Sequence, residues 1–354
     1  MKILFGFIFG VLIIGCVVDE EVVSIGDIPS CGVSTPLFSP EGYFVNHLGG
    51  IDVSDYTLSD FHFSDDFNGF LIAYDKDQAK SVIQKTTDGG VTWQGIILPS
   101  ASTHIISLPS SFNLKDLVFK DKEVASLFTY TSVMFKTDNG GLTWNPHATQ
   151  KGLNHYAFAE NNKMFASDYN DIFYVSNNNG ESWSVLSDHP EFDFRYTSFS
   201  FKIIGEKIYA LGKDDKLIVI NLDGEYLNTL FTGVDNVSNI HVLNDSIFVV
   251  SSYSEMAITT DEGLTFSKYY NGVAKMIDLQ SQDEAVMVIQ TGGSSGDGIY
   301  TCDKVAYTVD GGLNWIQGEN CTMNLNSNFK GSQKMSTDRS IAFFRNCVFE
   351  IKLE

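Results

Sequence analysis

The chain's capacity for chemistry rests first on its carboxylates. Among 354 residues there are 44 aspartates and glutamates against 23 lysines and arginines. Hydrolysis of a glycosidic bond needs two carboxyl groups about 5–10 Å apart, one to deliver a proton and one to act as base or nucleophile. Closely spaced candidates are Asp65 and Asp66, Asp75 and Asp77, Glu191 and Asp193, Asp214 and Asp215, and Asp283 and Glu284. So many acids guarantee chance pairs, and nothing in the spacing marks two of them. The seven histidines (His47, His62, His104, His147, His155, His189, His241) show no metal-ligand spacing. No two cysteines are separated by two residues, so a zinc site is not indicated and no metal or cofactor is expected. Thr291–Gly298 is glycine-rich, but a phosphate cradle needs a helix N-terminus behind it. This segment sits between strand-like runs and reads as a long hairpin loop. The insert from Pro99 to Asn113 reads either as an exposed contact patch or as a buried strand between units. The formal charge of −21 repels nucleic acid and anionic membrane surfaces. It fits a solvated extracytoplasmic domain with a protein or glycan partner.

The elements that must position any site are read from a repeat. All four tryptophans close the same eight-residue pattern, Ser/Thr-x-Asp/Asn-x-Gly-x-Thr/Ser/Asn-aromatic, which occurs five times. Its third and last positions are Asp88 and Trp93, Asn139 and Trp144, Asn178 and Trp183, Asp261 and Phe266, and Asp310 and Trp315. The third positions are 51, 39, 83 and 49 residues apart. The long step is close to two ordinary ones, and Asn221-Leu222-Asp223-Gly224-Glu225 lies inside it as a copy that has kept its Asp-Gly turn and lost its aromatic. Six units of roughly 40–50 residues suit four-stranded propeller blades. Within the units, strand-like runs rich in β-branched and aromatic residues alternate with turns. Examples are Phe61-His62-Phe63 and Phe70-Leu71-Ile72-Ala73 around Asn68-Gly69, and Ile208–Leu211 followed by Leu217–Ile220. No helical period appears after residue 15.

The motif resembles the Asp-box, or BNR repeat, of sialidase-like β-propellers. The resemblance implies an all-β chain: a single propeller over 41–354. Seven four-stranded blades are expected, with six as the alternative. Residues 41–57 and 339–351 are strand-like and lack a box, so the two chain ends are expected to combine into the last blade and remove its open edge. In the motif, the Asp or Asn accepts backbone N–H groups of its own turn. The Gly takes a conformation that a Cβ opposes. The aromatic packs between blades. Asp-boxes lie away from the catalytic face of the family they resemble, so none of the ten residues is assigned to chemistry. Sialidases hold a substrate carboxylate with three arginines. This chain has only Arg195, Arg339 and Arg345 and no Arg-Ile-Pro segment, so that activity is not expected. Phe63-Ser64-Asp65 to Gly69-Phe70, followed by Lys85 to Trp93, is similar to the repeat of Ycf48-like propellers. Those are photosystem II assembly factors with many bacterial homologues. Three arginines do not make the Arg-rich face of the photosynthetic members.

Met1–Gly15 is one lysine followed by an apolar run too short to span a bilayer. With Leu12-Ile13-Ile14-Gly15-Cys16 it resembles a lipoprotein signal peptide, with Cys16 the residue that is lipidated. Such a chain is anchored to the bacterial cell envelope as an outer-membrane lipoprotein. Asp19-Glu20-Glu21 resembles the surface-export signal of some bacterial lipoproteins, and an acidic solvated linker is the other reading. Residues 16–40 form the lipidated cysteine and tether. The four remaining cysteines suggest two disulfides in an exported chain. Three pairings are possible. Cys302–Cys321 with Cys31–Cys347 is favoured, because the first braces the hairpin of the sixth unit and the second staples the tether to the last blade. The sum is a monomeric, non-enzymatic binding or scaffold module. The alternative is a glycan-active hydrolase with acidic residues in the central funnel.

Overall fold

The computed structural model describes residues 37–38, 43–50 and, with interruptions, 56–353. The longer interruptions are 99–113, 195–200 and 318–328. The signal segment, Cys16, the acidic run at 19–21 and the insert at 99–113 lie outside the described residues.

Seven antiparallel sheets form, six of four strands and one of five. Each four-stranded sheet is a meander. Blade 1 runs Tyr56–Phe63, Gly69–Asp75, Lys80–Thr86 and Gln94–Ile96. The first strands of blades 2 to 6 are Leu114–Phe119, Leu153–Phe158, Phe201–Ile204, Asn239–Val242 and Ala274–Leu279. Blade 7 is the five-stranded sheet. Its inner strands are Phe329–Ser336, Arg339–Phe344 and Cys347–Leu353, and its outer strands are Tyr43–Gly50 and Leu37–Phe38. The chain ends therefore meet, with Tyr43 opposite Leu353 and Gly50 opposite Cys347. The expected closure is present, and it differs in one detail. Leu37–Phe38, inside the segment read as tether, pairs with Val45 and Phe44 and adds a fifth strand.

First strands touch from blade 1 to blade 4 and from blade 5 to blade 7, blades 4 and 5 share one apolar cluster, and the first strand of blade 7 contacts that of blade 1. The sheets thus stand radially and close a ring. This is a seven-bladed β-propeller. Each sheet is covered on both faces by its neighbours, so its second strand is a continuous apolar run and not an alternating one. Phe70-Leu71-Ile72-Ala73 in blade 1, Leu127-Phe128 in blade 2 and Phe248-Val249-Val250 in blade 5 are all buried. The fourth strands, at the perimeter, are mostly exposed. There is no α-helix among the described residues, only a 3-10 turn at Lys213–Asp215. The glycine-rich Thr291–Gly298 segment is not a loop. Strands Ala285–Ser295 and Gly298–Thr308 pair through it, up to Ser295 opposite Gly298.

Candidate functional site

The five Asp-boxes all lie in the turn between the third and fourth strands, at one end of the ring. In blade 1 the Asp88 carboxylate accepts from Thr92 N at 2.9 Å and from the Thr86 hydroxyl at 2.7 Å. Asn139, Asn178, Asp261 and Asp310 do the same in their turns. A second bond was not legible in the motif. The Ser or Thr at its first position is buried and accepts the glycine N–H four residues on, as in Gly90 N to Thr86 Oγ1 at 2.9 Å. The closing aromatic reaches the preceding blade. Trp144 meets Phe70 edge-on at 6.2 Å, and Trp315 meets Tyr269 at 5.4 Å and donates to its carbonyl at 2.9 Å. The hydroxyl of Thr265 and the backbone N–H of Asn314, respectively, hold the carboxyls of Asp261 and Asp310 below the usual range. The side-chain oxygens at the first and third positions serve the turn, while the Trp144 ring nitrogen is buried without a partner.

The first strands bring together residues that the sequence did not single out. Asp60 of blade 1 accepts from its neighbour Phe61 N at 2.8 Å and from Leu117 N of blade 2 at 3.1 Å. Asp116 of blade 2 accepts in turn from Tyr156 N of blade 3 at 3.3 Å. Each carboxylate stitches its blade to the next. The Asp60 carboxyl also meets that of Asp116. Burial, then the Asp116 charge, pushes the Asp60 carboxyl well above the usual carboxylate range. That setting favours the protonated form of Asp60. The identical setting of the two, just past a β-bulge in the first strand, explains the match. Burial lowers His62 to about 4, where it stacks on Phe119 at 4.3 Å. Burial and the Lys202 charge lower His241 to about 3, and its Nε2 lies 3.0 Å from Ser251 Oγ. In blade 3, Asn154 is buried and its side-chain amide nitrogen has no partner.

The opposite end of the ring, at the turns between second and third strands, carries exposed aromatics in register. Gly69, Ala125 and Met164 each pair with the first residue of their own Asp-box. Five residues beyond each stands a tyrosine: Tyr74, Tyr130 and Tyr169, with 39%, 61% and 59% of their surface exposed. They occupy three successive blades. Lys115 reaches this end, its ammonium 5.4 Å from the Tyr130 ring and 5.9 Å from that of Tyr156. The Leu153 carbonyl accepts from it.

Of the acidic candidates from the sequence, only the Glu191–Asp193 and Asp214–Asp215 segments are brought side by side, with Lys213 N donating to the Glu191 carbonyl at 2.8 Å and Asp193 N to that of Leu211 at 3.1 Å. Asp65 is spent on its own turn, accepting from Phe67 N and Asn68 N at 2.9 and 2.7 Å. Asp75 is buried at the end of its strand. Glu191 and Asp193 lie in the connection before blade 4, Asp214 and Asp215 in the 3-10 turn, and Asp283 and Glu284 at the box end of blade 6. Arg195, Arg345, Cys31 and Cys321 lie outside the described residues. Cys302 pairs in register with Thr291, and Cys347 with Phe344.

No family model matches the chain, and no curated protein matches it in sequence. Among solved structures it is similar to YCF48 bound to D1 peptide, at 15% identity over 91% of this chain and 100% of that one, with a TM-score of 0.62. The YCF48 of Cyanidioschyzon merolae gives 13% identity over 88% and 98%, with a TM-score of 0.62. The WD40 propeller domain of Doa1 gives 14% over 89% and 98%, with a TM-score of 0.53. The propeller fold is what they share.

Proposed function

We propose that this propeller is a non-enzymatic binding or scaffold module. It docks a partner protein on the end opposite the Asp-boxes. One observation carries the reading: Tyr74, Tyr130 and Tyr169 repeat at a single register position and stay exposed, although nothing in the fold requires an aromatic there. Exposed tyrosine supplies rigid contact area with a polar tip, which suits recognition. A related propeller fold has been seen with a bound peptide, which is consistent with a protein partner. The proposed address is the bacterial outer membrane, with Cys16 lipidated and the ring tethered by the residues between Cys16 and the strand Leu37–Phe38. Mass spectrometry of the Cys16→Ala variant tests this, since the acyl mass must disappear with the cysteine.

The Asp60–Asp116 pair favours a second reading, a hydrolase with Asp60 as proton donor. Each carboxyl accepts from a backbone N–H of the next blade, and this supports a stitching role. Arrays of peptides and oligosaccharides probed with the full chain separate the two. A binding module retains ligand without turnover and loses it in Tyr74→Ala/Tyr130→Ala/Tyr169→Ala. Saturable glycoside hydrolysis that disappears in Asp116→Asn would sink the binding reading.

A further inference from the structure

The seven first strands stand nearest the axis and enclose the central channel of the ring. Their charge is unlike that of the rest of the chain. They hold five lysines against three aspartates, whereas the whole chain has 44 acidic residues against 23 basic ones. One of those aspartates, Asp60, is in a setting that favours its neutral form. In five of these strands one residue bulges out of register, and in four of the five it is basic: Lys115, His155, Lys275 and Lys330. An acidic shell thus surrounds an inner wall with a positive balance.

Lys202 is the cation of that wall without a counter-charge. It stands in the first strand of blade 4, opposite Tyr209. Its side chain is exposed, yet desolvation lowers its ammonium, and no carboxylate among the described residues raises it. Access to solvent combined with crowding by protein marks a side chain in a narrow passage, not one on an open surface. Lys85 and Lys115 meet backbone carbonyls, and Lys136, Lys163 and Lys207 meet carboxylates. Lys202 makes no such contact among the described residues. On blade 5, His241 lies close enough for the Lys202 charge to lower it, and its Nε2 is 3.0 Å from Ser251 Oγ. The first strands of blades 4 and 5 are four residues each and are the least closely packed successive pair in the ring. Lys202 and His241 stand on either side of that junction. A desolvated ammonium without a partner costs stability. In a cleft it is poised for a ligand that supplies the missing charge.

We infer that Lys202 anchors a site in the central channel for a small anion, a phosphate ester or a carboxylate. A lone ammonium is a compact point charge with three donors, and it takes either group. The ligand is small because repulsion from the chain's charge of −21 grows with each charge a polyanion adds, while one or two charges are screened over about 8 Å at physiological salt. The site is separate from the tyrosine end and goes beyond the docking proposed there.

The test follows binding by ligand-detected NMR, with the full chain in a neutral detergent. The probes are glycerol phosphate, succinate and uncharged glycerol. One or both anions should saturate, and glycerol should not; saturation by one anion alone supports the site and names its group. Lys202→Met and Lys202→Gln should each weaken the anion by at least about tenfold. Lys216→Met and Tyr74→Ala/Tyr130→Ala/Tyr169→Ala should leave it unchanged. Without ligand, Lys202→Met should melt no lower than the parent chain, because it removes an unpaired desolvated charge. The bound anion should raise the melting temperature of the parent chain and not of that variant. No saturation by either anion at about 10 mM, equal uptake of glycerol, or undiminished binding in the Lys202 variants overturns the assignment. So does a lower melting temperature in Lys202→Met, which gives the lysine a structural role. Loss of the anion in the tyrosine variant moves the site to that end and overturns it too. Failure of the channel site leaves the docking of a partner protein to be decided by its own experiment.

Discussion

Blades 3 and 4 are neighbours built on the same meander, yet their outer turns are held in different ways. In blade 3, Ser176 Oγ accepts from Gly180 N at 2.9 Å, Asn178 accepts from Ser182 N at 3.0 Å, and Trp183 lies against Phe128 and Tyr156. In blade 4, Asn221 alone accepts from Asp223 N and Glu225 N at 3.0 and 2.9 Å, and the buried Leu222 stands where no tryptophan does. The missing aromatic bulk lies elsewhere. Phe192, Phe194 and Phe201, on the approach to blade 4 and its first strand, crowd the Phe173 ring with centroids 4.8–5.3 Å away. The wedge between blades is thus a volume to be filled, and the Asp-box is one way of delivering it.

The comparison is most exposed to cavity-forming changes. Phe173→Ala and Trp144→Ala should each lower stability by about 3–5 kcal/mol in chemical denaturation. If only the tryptophan variant does so, the phenylalanines do not replace the box. Gly312→Ala comes next, at about 2–4 kcal/mol. Its φ is +78°, and a Cβ would lie 2.5 Å from the Tyr269 ring of the preceding blade. Thr259→Val, which strands the N–H of buried Gly263, should cost about 1–3 kcal/mol, against about 0.5–1.5 kcal/mol for Asn221→Ala. Equal costs would mean that the box hydroxyl has no special place.

The smallest effects separate the boxes by charge. Asp261 and Asp310 have depressed pKa values in the fold, whereas Asn139 and Asn178 do not titrate. A depressed carboxyl contributes stability above its unfolded pKa, near 4, and loses it as pH falls further. Asp261→Asn/Asp310→Asn should therefore flatten the acid end of a melting-temperature profile below about pH 4. His62 and His241, lowered to about 4 and about 3, act in the same direction at higher pH. Their stabilisation is full above about 6.5 and declines below it. An unchanged profile between about pH 6.5 and 4 in His62→Gln would break that assignment.

Much of this was legible in the residues. The box places a side-chain acceptor and its backbone donor four residues apart, so one short stretch of sequence contains the whole bond. Five copies at blade spacing then specify an all-β ring, and box-free strands at both chain ends specify its closure. The glycine-rich 291–298 segment misled, because composition suggested a loop where two strands continue to pair edge to edge. The Asp60–Asp116 contact was hidden for the opposite reason. Asp60 reaches a backbone N–H 57 residues away and Asp116 one 40 residues away, and no local pattern distinguishes them from the other acids.

The amino-acid order by itself thus determined the repeat, the turn chemistry and the wedge, because each is settled within eight residues by hydrogen bonds and backbone sterics. Only the closed ring decided which carboxylates meet and which tyrosines line up across blades. Those depend on radial packing of sheets remote in sequence, where one blade's surface becomes the next blade's environment.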